Sequence, residues 1–527
     1  MADNRFIHSK SWFPRLVESL VVEDGLRRPL VEGSSIYQIG GQAGHRSEEL
    51  VFALKSVIAR RRQQGKLTIV QTYDISKFFD KEMMEDAVLT CLERGADPKA
   101  VRLWHGLNAD TRIRVRTGGG MTGWGEVGAV LGQGTMGGAL ISQAVLDSAV
   151  SEQFNPGEEG EMEYGEVAMQ PLMFQDDILH GAVGVEEARR ANTKINILIK
   201  ERGLALNETK SVCILMGPRV KVEEARREVE ANPLMCGTFE TKEKQVDKWL
   251  GQMLSSKGLA DSVEETVAAR EGKIRGAAME ICDIVNDWRA RAAGGLEVAV
   301  MLWERCCIPS LLYGAGTWVN MTAGTVTRLN KLQNWFLRML LQVGQGAPLT
   351  ALAWESGCLD MGLRVAIEKV MLIHHIRSLD EDTLARRVYE EQRKHNWPGL
   401  FKETTVLCEE LRVEDVNNTS LSKKDYRQIF IDACKMKHEE VLRKQAESQS
   451  KTKRIFEDNY GSKAYFENTN IFEARQIFRA RTKMMPFAAN FSGSNKYKRT
   501  NWLCKCGVRE EESHLVEGRC PVYQDIW

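Results

Sequence analysis

LTIVQTYDI, residues 67–75, running on into SKFFD at 76–80, is the stretch on which the fold turns. Its β-branched residues read as a strand, and EMMEDAVLTCLERG (82–95) behind it reads as a helix closed by Gly95. A carboxylate, Asp74, therefore sits where a strand ends. Downstream, MQPLMF (169–174) and ILHGAV (178–183) flank Gln175-Asp176-Asp177, so two strands meet at an acidic turn. Between them TRIRVRT (111–117) alternates Ile113 and Val115 with Arg112, Arg114 and Arg116, giving a strand with one apolar face and one basic face suited to phosphates.

VEEARRANTKINILIKERG (185–203) then places Ala188, Asn192, Ile195, Leu198 and Ile199 at helical spacing, with Gly203 as the stop. LALNETK (204–210) and SVCILMG (211–217) read as a strand pair. To about residue 255 the order of elements describes an α+β domain with helices on a largely antiparallel sheet. Helical patterns dominate from there to about residue 490, and QAESQSKTKR (445–454) is the best linker, being polar and charged.

With 527 residues, 43% of them hydrophobic, the chain is large enough for two to four globular units. Its 72 basic and 72 acidic residues cancel, so any nucleic-acid surface must be local. No run approaches the roughly 18 apolar residues of a membrane helix. MADNRFIHSKSWFPRLVESL lacks the apolar core of a signal peptide, and an intracellular chain is expected, nuclear or cytoplasmic. Nine of the 12 cysteines are scattered, often among apolar residues, which suits reduced, buried thiols.

Attack of a primer 3′-hydroxyl on a nucleotide α-phosphate uses two divalent cations about 4 Å apart. Such ions take oxygen ligands, so carboxylates must converge from different strands. Asp74 at a strand end and Asp176-Asp177 at a hairpin tip suit that task. Each also has an ordinary reading: Asp-Asp is good turn chemistry, and Asp74 or Asp80 could cap the following helix.

YDISKFFD (73–80) resembles motif A of reverse transcriptases, LGQGTMGGALISQ (131–143) resembles their motif B and FQDD (174–177) their motif C, in the family's order. GLALNETK (203–210) is similar to motif D and KWLG (248–251) to the primer-grip motif E. The resemblance implies Asp74, Asp176 and Asp177 as ligands of Mg²⁺ or Mn²⁺, with the backbone of Ile75 near the triphosphate. It puts Phe79 where a ring excludes a ribonucleotide 2′-hydroxyl, although Phe79 or its neighbour Phe78 could equally be a core aromatic. It puts Gln133 and Gly134 against the incoming nucleotide and template, and Lys210 where it would protonate the leaving pyrophosphate; a solvated lysine in a turn is the alternative for Lys210.

SSIYQIGGQAGHRSEELVFALKSVI (34–58) resembles the segment before motif A in non-LTR (LINE-type) retrotransposons, where Gln-x-Gly-Phe-Arg precedes an amphipathic helix. Gln38 and Gly40 match, while Phe-Arg is replaced and Arg46 lies nearby. WERCCIPSLLYGAGTW (303–318) and LNKLQNWFLRMLL (329–341) resemble the helical thumb of the same elements. At the end, Cys504-x-Cys506-x₇-His514-x₅-Cys520 offers three thiolates and an imidazole to a tetrahedral Zn²⁺, with a tighter first spacing than the usual two to four residues; from spacing alone, three thiols and a histidine is an equal reading. The segment also resembles the C-terminal Cys/His knuckle of non-LTR polyproteins. Arg475, Arg479 and Arg481 could line one helix and meet phosphates, as could Lys496, Lys498 and Arg499, or form a solvated basic face.

Taken together, the resemblance implies an α+β right-hand polymerase: partial fingers at 1–65, palm at 66–255, helical thumb at 256–370, a helical region at 371–495 and a zinc-knuckle-like end at 496–527. The implied activity is RNA-directed DNA synthesis by a non-LTR reverse transcriptase truncated at its N-terminus. RNA template, DNA primer and dNTPs would be its partners, with no membrane, and an endonuclease could come from a partner chain. The alternatives are a truncated, weak or inactive remnant that only binds nucleic acid, and a metal-dependent hydrolase on another fold, which would not explain the motif order.

Overall fold

The computed structural model describes residues 12–76, 78, 83–109, 112–114, 116–117, 120–126, 136–155, 157, 161–287, 293–413, 421–449, 453–457, 459–461, 463–485, 487, 503–516 and 518–522. The chain divides into two compact units, Met1–Glu265 with His375–Glu403, and Thr266–His374 with Thr404–Trp527.

The first unit is built on a five-stranded sheet. Its strands are β1 (Thr68–Asp74), β2 (Leu172–Phe174), β3 (Asp177–Ala182), β4 (Val212–Met216) and β5 (Lys242–Glu243), in the order β5-β4-β1-β3-β2. All neighbours are antiparallel except β4 and β5, which agrees with the α+β reading and its largely antiparallel sheet. β1 is central, and all its residues before Asp74 are buried, as a strand covered on both sides requires.

Alternation along β1 assigns the two faces. Ile69, Gln71 and Tyr73 point to the helices: Gln71 Nε2 donates to Asn192 Oδ1 at 2.8 Å, and the Tyr73 hydroxyl donates to the same oxygen at 2.8 Å. Asn192 lies on the helix Val185–Glu201, whose residues Ala188, Ile195, Leu198 and Ile199 are buried with it, as their spacing predicts. Burial of this helical face against the sheet, at roughly 25 cal/mol per Å² of apolar surface, is the main force holding the sheet to its helices. Thr68, Val70, Thr72 and Asp74 point the other way: Thr68 Oγ1 accepts from Arg61 Nε at 2.9 Å, and Thr72 Oγ1 lies 3.5 Å from Asp247 Oδ2, on the hairpin of β6 (Val246–Trp249) and β7 (Gln252–Ser255). That hairpin contains KWLG, and it turns on two left-handed residues, Leu250 (φ +44°) and Gly251 (φ +80°), as a two-residue turn of the mirror-image kind demands.

Three sequence expectations change on folding. LALNETK forms one bridge, Leu206 to Ile75, in place of a strand; the Asn207 side chain accepts from Thr209 N at 3.2 Å and closes a turn there. TRIRVRT is two short pieces, Arg112–Ile113 pairing with Gly125–Glu126 and Arg116–Thr117 pairing with Gly120–Met121. The helix Ser47–Gln63 is not amphipathic: from Leu50 to Ile58 every residue is buried, Lys55 included, because strands and the helix Leu384–Lys394 of the same unit cover it all round.

The second unit is helical, with Ala323–Leu341, Leu349–Ser356, Lys423–Ala446 and Ile471–Arg481 among its helices. Its core is aromatic: Trp303 stacks on Phe336 with ring centroids 4.4 Å apart, and Trp354 packs on Phe456 at 4.7 Å. Of the linker expected at 445–454, Gln445 and Ala446 end a helix with Ala446 buried, residues 450–452 lie outside the described residues, and Ile455 and Phe456 just beyond are packed into the core. Scattered cysteines are free and buried, as expected, except that Cys306 is exposed. Among the described residues, no helix is long and apolar enough to cross a membrane.

Candidate active site and candidate metal centre

β1 and β3 pair so that Asp74 stands directly opposite Asp177. Residues opposed on antiparallel strands share a face with Cβ atoms about 5 Å apart, and like charges so placed repel. Asp176 comes next to them from the turn between β2 and β3, whose two residues are Gln175 and Asp176. Gln175 has φ +59°, a left-handed conformation that costs a side-chain-bearing residue about 1–2 kcal/mol. Such strain persists only where the surroundings hold it. Asp74, distant in sequence, is thus brought by strand register to the Asp176-Asp177 pair at one end of the sheet.

The loop resembling motif D closes the site from one side. Asn207 N donates to the Asp74 carbonyl and Ser76 N to the Ala205 carbonyl, both at 2.7 Å, and Asp74 N donates to Ser211 Oγ at 3.3 Å. Lys210 Nζ lies 3.5 Å from Asp74 Oδ2, with the lysine 58% and the aspartate 31% exposed, so the pair is open to water and exchangeable. Sequence reading brought Asp74 and Lys210 to the same site as separate motifs; their ion pair, and the part played by Ser211 and Asn207, follow only from the strand pairing. Ile75 is buried and bridged to Leu206. Phe78 is a core aromatic, packed with Tyr73, Ile75 and Leu146. Phe79, Gln133 and Gly134 lie outside the described residues, as do Asp80, Lys496, Lys498 and Arg499.

The four C-terminal residues are brought together. Cys504, Cys506, His514 and Cys520 present ligand atoms that all lie within 4.8 Å of one another, a set that could hold a metal ion. Cys504 Sγ is 3.6 Å from Cys520 Sγ, and Cys506 Sγ is 2.9 Å from His514 Nε2. Zn–S bonds near 2.3 Å put two thiolates of a tetrahedron roughly 3.8 Å apart, so the sulfur pair fits that coordination and is far beyond a disulfide bond. Gly507 (φ +87°) makes the tight turn that lets Cys504 N donate to the Val508 carbonyl at 2.7 Å, which brings both early cysteines to one side.

Each arginine of Ile471–Arg481 has a partner within its own unit. Arg475 is buried and donates to the Leu340 carbonyl at 2.8 Å and Asn286 Oδ1 at 2.7 Å, and burial lowers its pKa to about 10. Arg479 donates to the Gln342 carbonyl at 2.7 Å, and Arg481 holds the fully buried Glu355 through bonds of 2.9 and 3.0 Å. All three cap helix ends or neutralise a buried carboxylate, work that helical spacing cannot reveal.

No protein-family model and no curated protein matches the chain. Among solved structures, it is similar to an apo telomerase from Candida tropicalis truncated from its C-terminal domain, at 11% identity and TM-score 0.32 over 47% of this chain and 48% of that one. It is also similar to a telomerase from Candida albicans in complex with a TWJ fragment of telomeric RNA, at 9% identity and TM-score 0.32 over 72% and 57%. A further apo telomerase from Candida tropicalis gives 9% identity and TM-score 0.33 over 71% and 60%. The chain thus spans between 48% and 60% of these structures' lengths. A likeness this coarse assigns no activity.

Proposed function

We propose that the chain is the polymerase part of a non-LTR-type reverse transcriptase, with its palm at 66–255, that extends a DNA primer on an RNA template from dNTPs. The observation that carries this reading is the register that sets Asp74 against Asp177 beside the turn residue Asp176. Two opposed carboxylates and a third on the adjoining turn suit divalent cations, and the motif order between 73 and 210 gives the chemistry such cations would serve.

Asp74, Asp176 and Asp177 would hold two Mg²⁺ or Mn²⁺ ions, which when bound supply activation of the primer hydroxyl and neutralisation of the triphosphate. The chain's own residues do the rest. β1 and β3 fix the carboxylates on a rigid sheet, and Asn207, Ala205 and Ser211 hold the backbone around Asp74. Lys210, within reach of Asp74 and well exposed, carries a proton it can give to departing pyrophosphate. Ile75 would lend its backbone near the triphosphate, and Phe79, Gln133 and Gly134 would contact the nucleotide. At the C-terminus, Cys504, Cys506, His514 and Cys520 would hold one structural Zn²⁺.

Primer extension by the purified chain on an RNA template tests the reading. Extension that needs Mg²⁺ or Mn²⁺ and disappears in Asp74→Asn and Asp176→Asn supports it. Binding of primer-template without any extension under those conditions points instead to the binding-only alternative.

A further inference from the structure

The acidic turn has a left-handed residue at its first position that is not glycine, so something outside the turn must hold it. Residues 37–39 lie along β2 as an added parallel edge: Met173 N donates to the Tyr37 carbonyl at 2.8 Å, Ile39 N donates to the Met173 carbonyl at 3.4 Å, and Gln38 bridges to Met173. From there the wholly buried Gln38 side chain reaches the turn itself. Its Nε2 donates to the Gln175 carbonyl at 3.3 Å, while its Oε1 accepts from Gly40 N at 3.2 Å.

The glycines behind it explain why the chain can pass so close. A Cβ on Gly40 would fall 2.4 Å from Gln175 N, and one on Gly41, which has φ +60°, would fall 2.6 Å from Nε2 of Gln143. Gln143 is itself 2% exposed, on the helix Gly138–Gln153. The same helix anchors the segment upstream: Ser35 N donates to Asp147 Oδ2 at 2.8 Å, and Asp147, buried, pairs with Arg94 at 2.9 Å. The Gln38-x-Gly40 pair is therefore wedged between a fixed helix and the turn.

We propose that Gln38, with Gly40 and Gly41 behind it, is the positioning residue of the acidic turn: it fixes the Gln175 carbonyl and thereby sets where Asp176 presents its carboxylate to a divalent cation. This rests on the metal-binding reading of the palm given above. A group that orients a metal ligand usually changes metal affinity roughly 10- to 100-fold when removed.

The test is Mn²⁺ binding to the full chain, read from the free-ion EPR signal, with the C-terminal thiols kept saturated with zinc. Asp176→Asn and Asp74→Asn measure the share of binding that belongs to the palm. Gln38→Met keeps the volume and removes both hydrogen bonds. We expect it to weaken Mn²⁺ binding by roughly tenfold or more and to add nothing when combined with Asp176→Asn, since both then act through one ligand. Gly40→Ala crowds Gln175 N without touching the Gln38 amide, and the same loss is expected. A folded Gln38→Met with wild-type Mn²⁺ affinity overturns the proposal, and where that variant does not fold, unchanged affinity in Gly40→Ala overturns it. If the two aspartate variants also bind Mn²⁺ normally, the metal reading of the palm has failed, and the proposal with it.

Discussion

The acidic hairpin of the first unit and the Cys/His turn of the second are both clusters of metal-ligand side chains, assembled in opposite ways. Cys504, Cys506, His514 and Cys520 come from one short stretch, close within 4.8 Å of one another and are mostly buried. Asp74 comes from a strand distant in sequence from the Asp176-Asp177 turn, faces Asp177 across the β1–β3 pair, and is 31% exposed beside an exposed lysine ammonium. A closed set of four soft donors suits an ion that stays, and an open set of hard donors suits ions that arrive with substrate. The difference teaches that the Cys/His cluster should be needed for structure and the acidic cluster for chemistry.

The largest effect should come from the open cluster. Asp74→Asn or Asp176→Asn is expected to cut primer extension by roughly a thousandfold or more, since the lost charge is what holds the cations. Melting of the metal-free chain should stay level or rise slightly, because Asp74→Asn also relieves repulsion with Asp177. A variant that loses its fold along with its activity would break the contrast.

The closed cluster should behave the other way. One zinc per chain is expected by metal analysis, lost in Cys506→Ser, with residues 503–522 becoming sensitive to protease while the palm is unaffected. A chain that contains no zinc under reducing conditions at neutral pH makes the cluster four unliganded side chains. A smaller effect is expected at Lys210: Lys210→Ala should slow extension about a hundredfold, as loss of a general acid does, yet change stability by less than about 1 kcal/mol because the pair with Asp74 is exposed. Equal rates for both chains would make Lys210 the solvated turn lysine of the ordinary reading.

The smallest effect probes how firmly the first unit holds its N-terminal segment. Glu49 is buried between His45, whose Nδ1 is 2.8 Å away, and His375, whose Nε2 is 2.7 Å away. Burial by itself would raise the Glu49 carboxyl, but the hydrogen bonds from His375 and His45 overcome it and hold the pKa below its ordinary value. The hydrogen bond to Glu49 raises His45 against its own burial, with Asp380 adding to the rise. A raised histidine contributes fully below its unfolded value of 6.5 and loses that contribution as pH rises through the folded value; a depressed glutamate contributes above 4.5 and loses it as pH falls. His45→Gln should therefore destabilise by about 1–3 kcal/mol between those limits and less at alkaline pH, read from melting curves at several pH values. A pH-independent difference would show that the contact works through shape alone.

Much of the first unit was legible in the sequence. The strand at 67–75, the stop at Gly203 and the helical face of Ala188, Asn192 and Ile195 follow from periodicity, which local burial enforces directly. The helix Ser47–Gln63 misled because its surroundings cover both faces, so its polar positions, Lys55 among them, are buried too. Arg475 misled for a related reason: spacing shows which side chains share a helix face, and only the partner surface shows that this one is buried against the Leu340 carbonyl.

By itself the sequence determined the ligand types and their order: carboxylates at a strand end and at a turn, a lysine behind them, and three cysteines with a histidine within one short segment. Those are local properties, fixed by residue identity and spacing. Tertiary structure alone decided that Asp74 faces Asp177, that Lys210 reaches Asp74, and that Gln38 grips the turn carrying Asp176. Each of these depends on the register between strands distant in the chain. A shift of one residue would turn a carboxylate to the opposite face of the sheet, and no window of sequence contains that information.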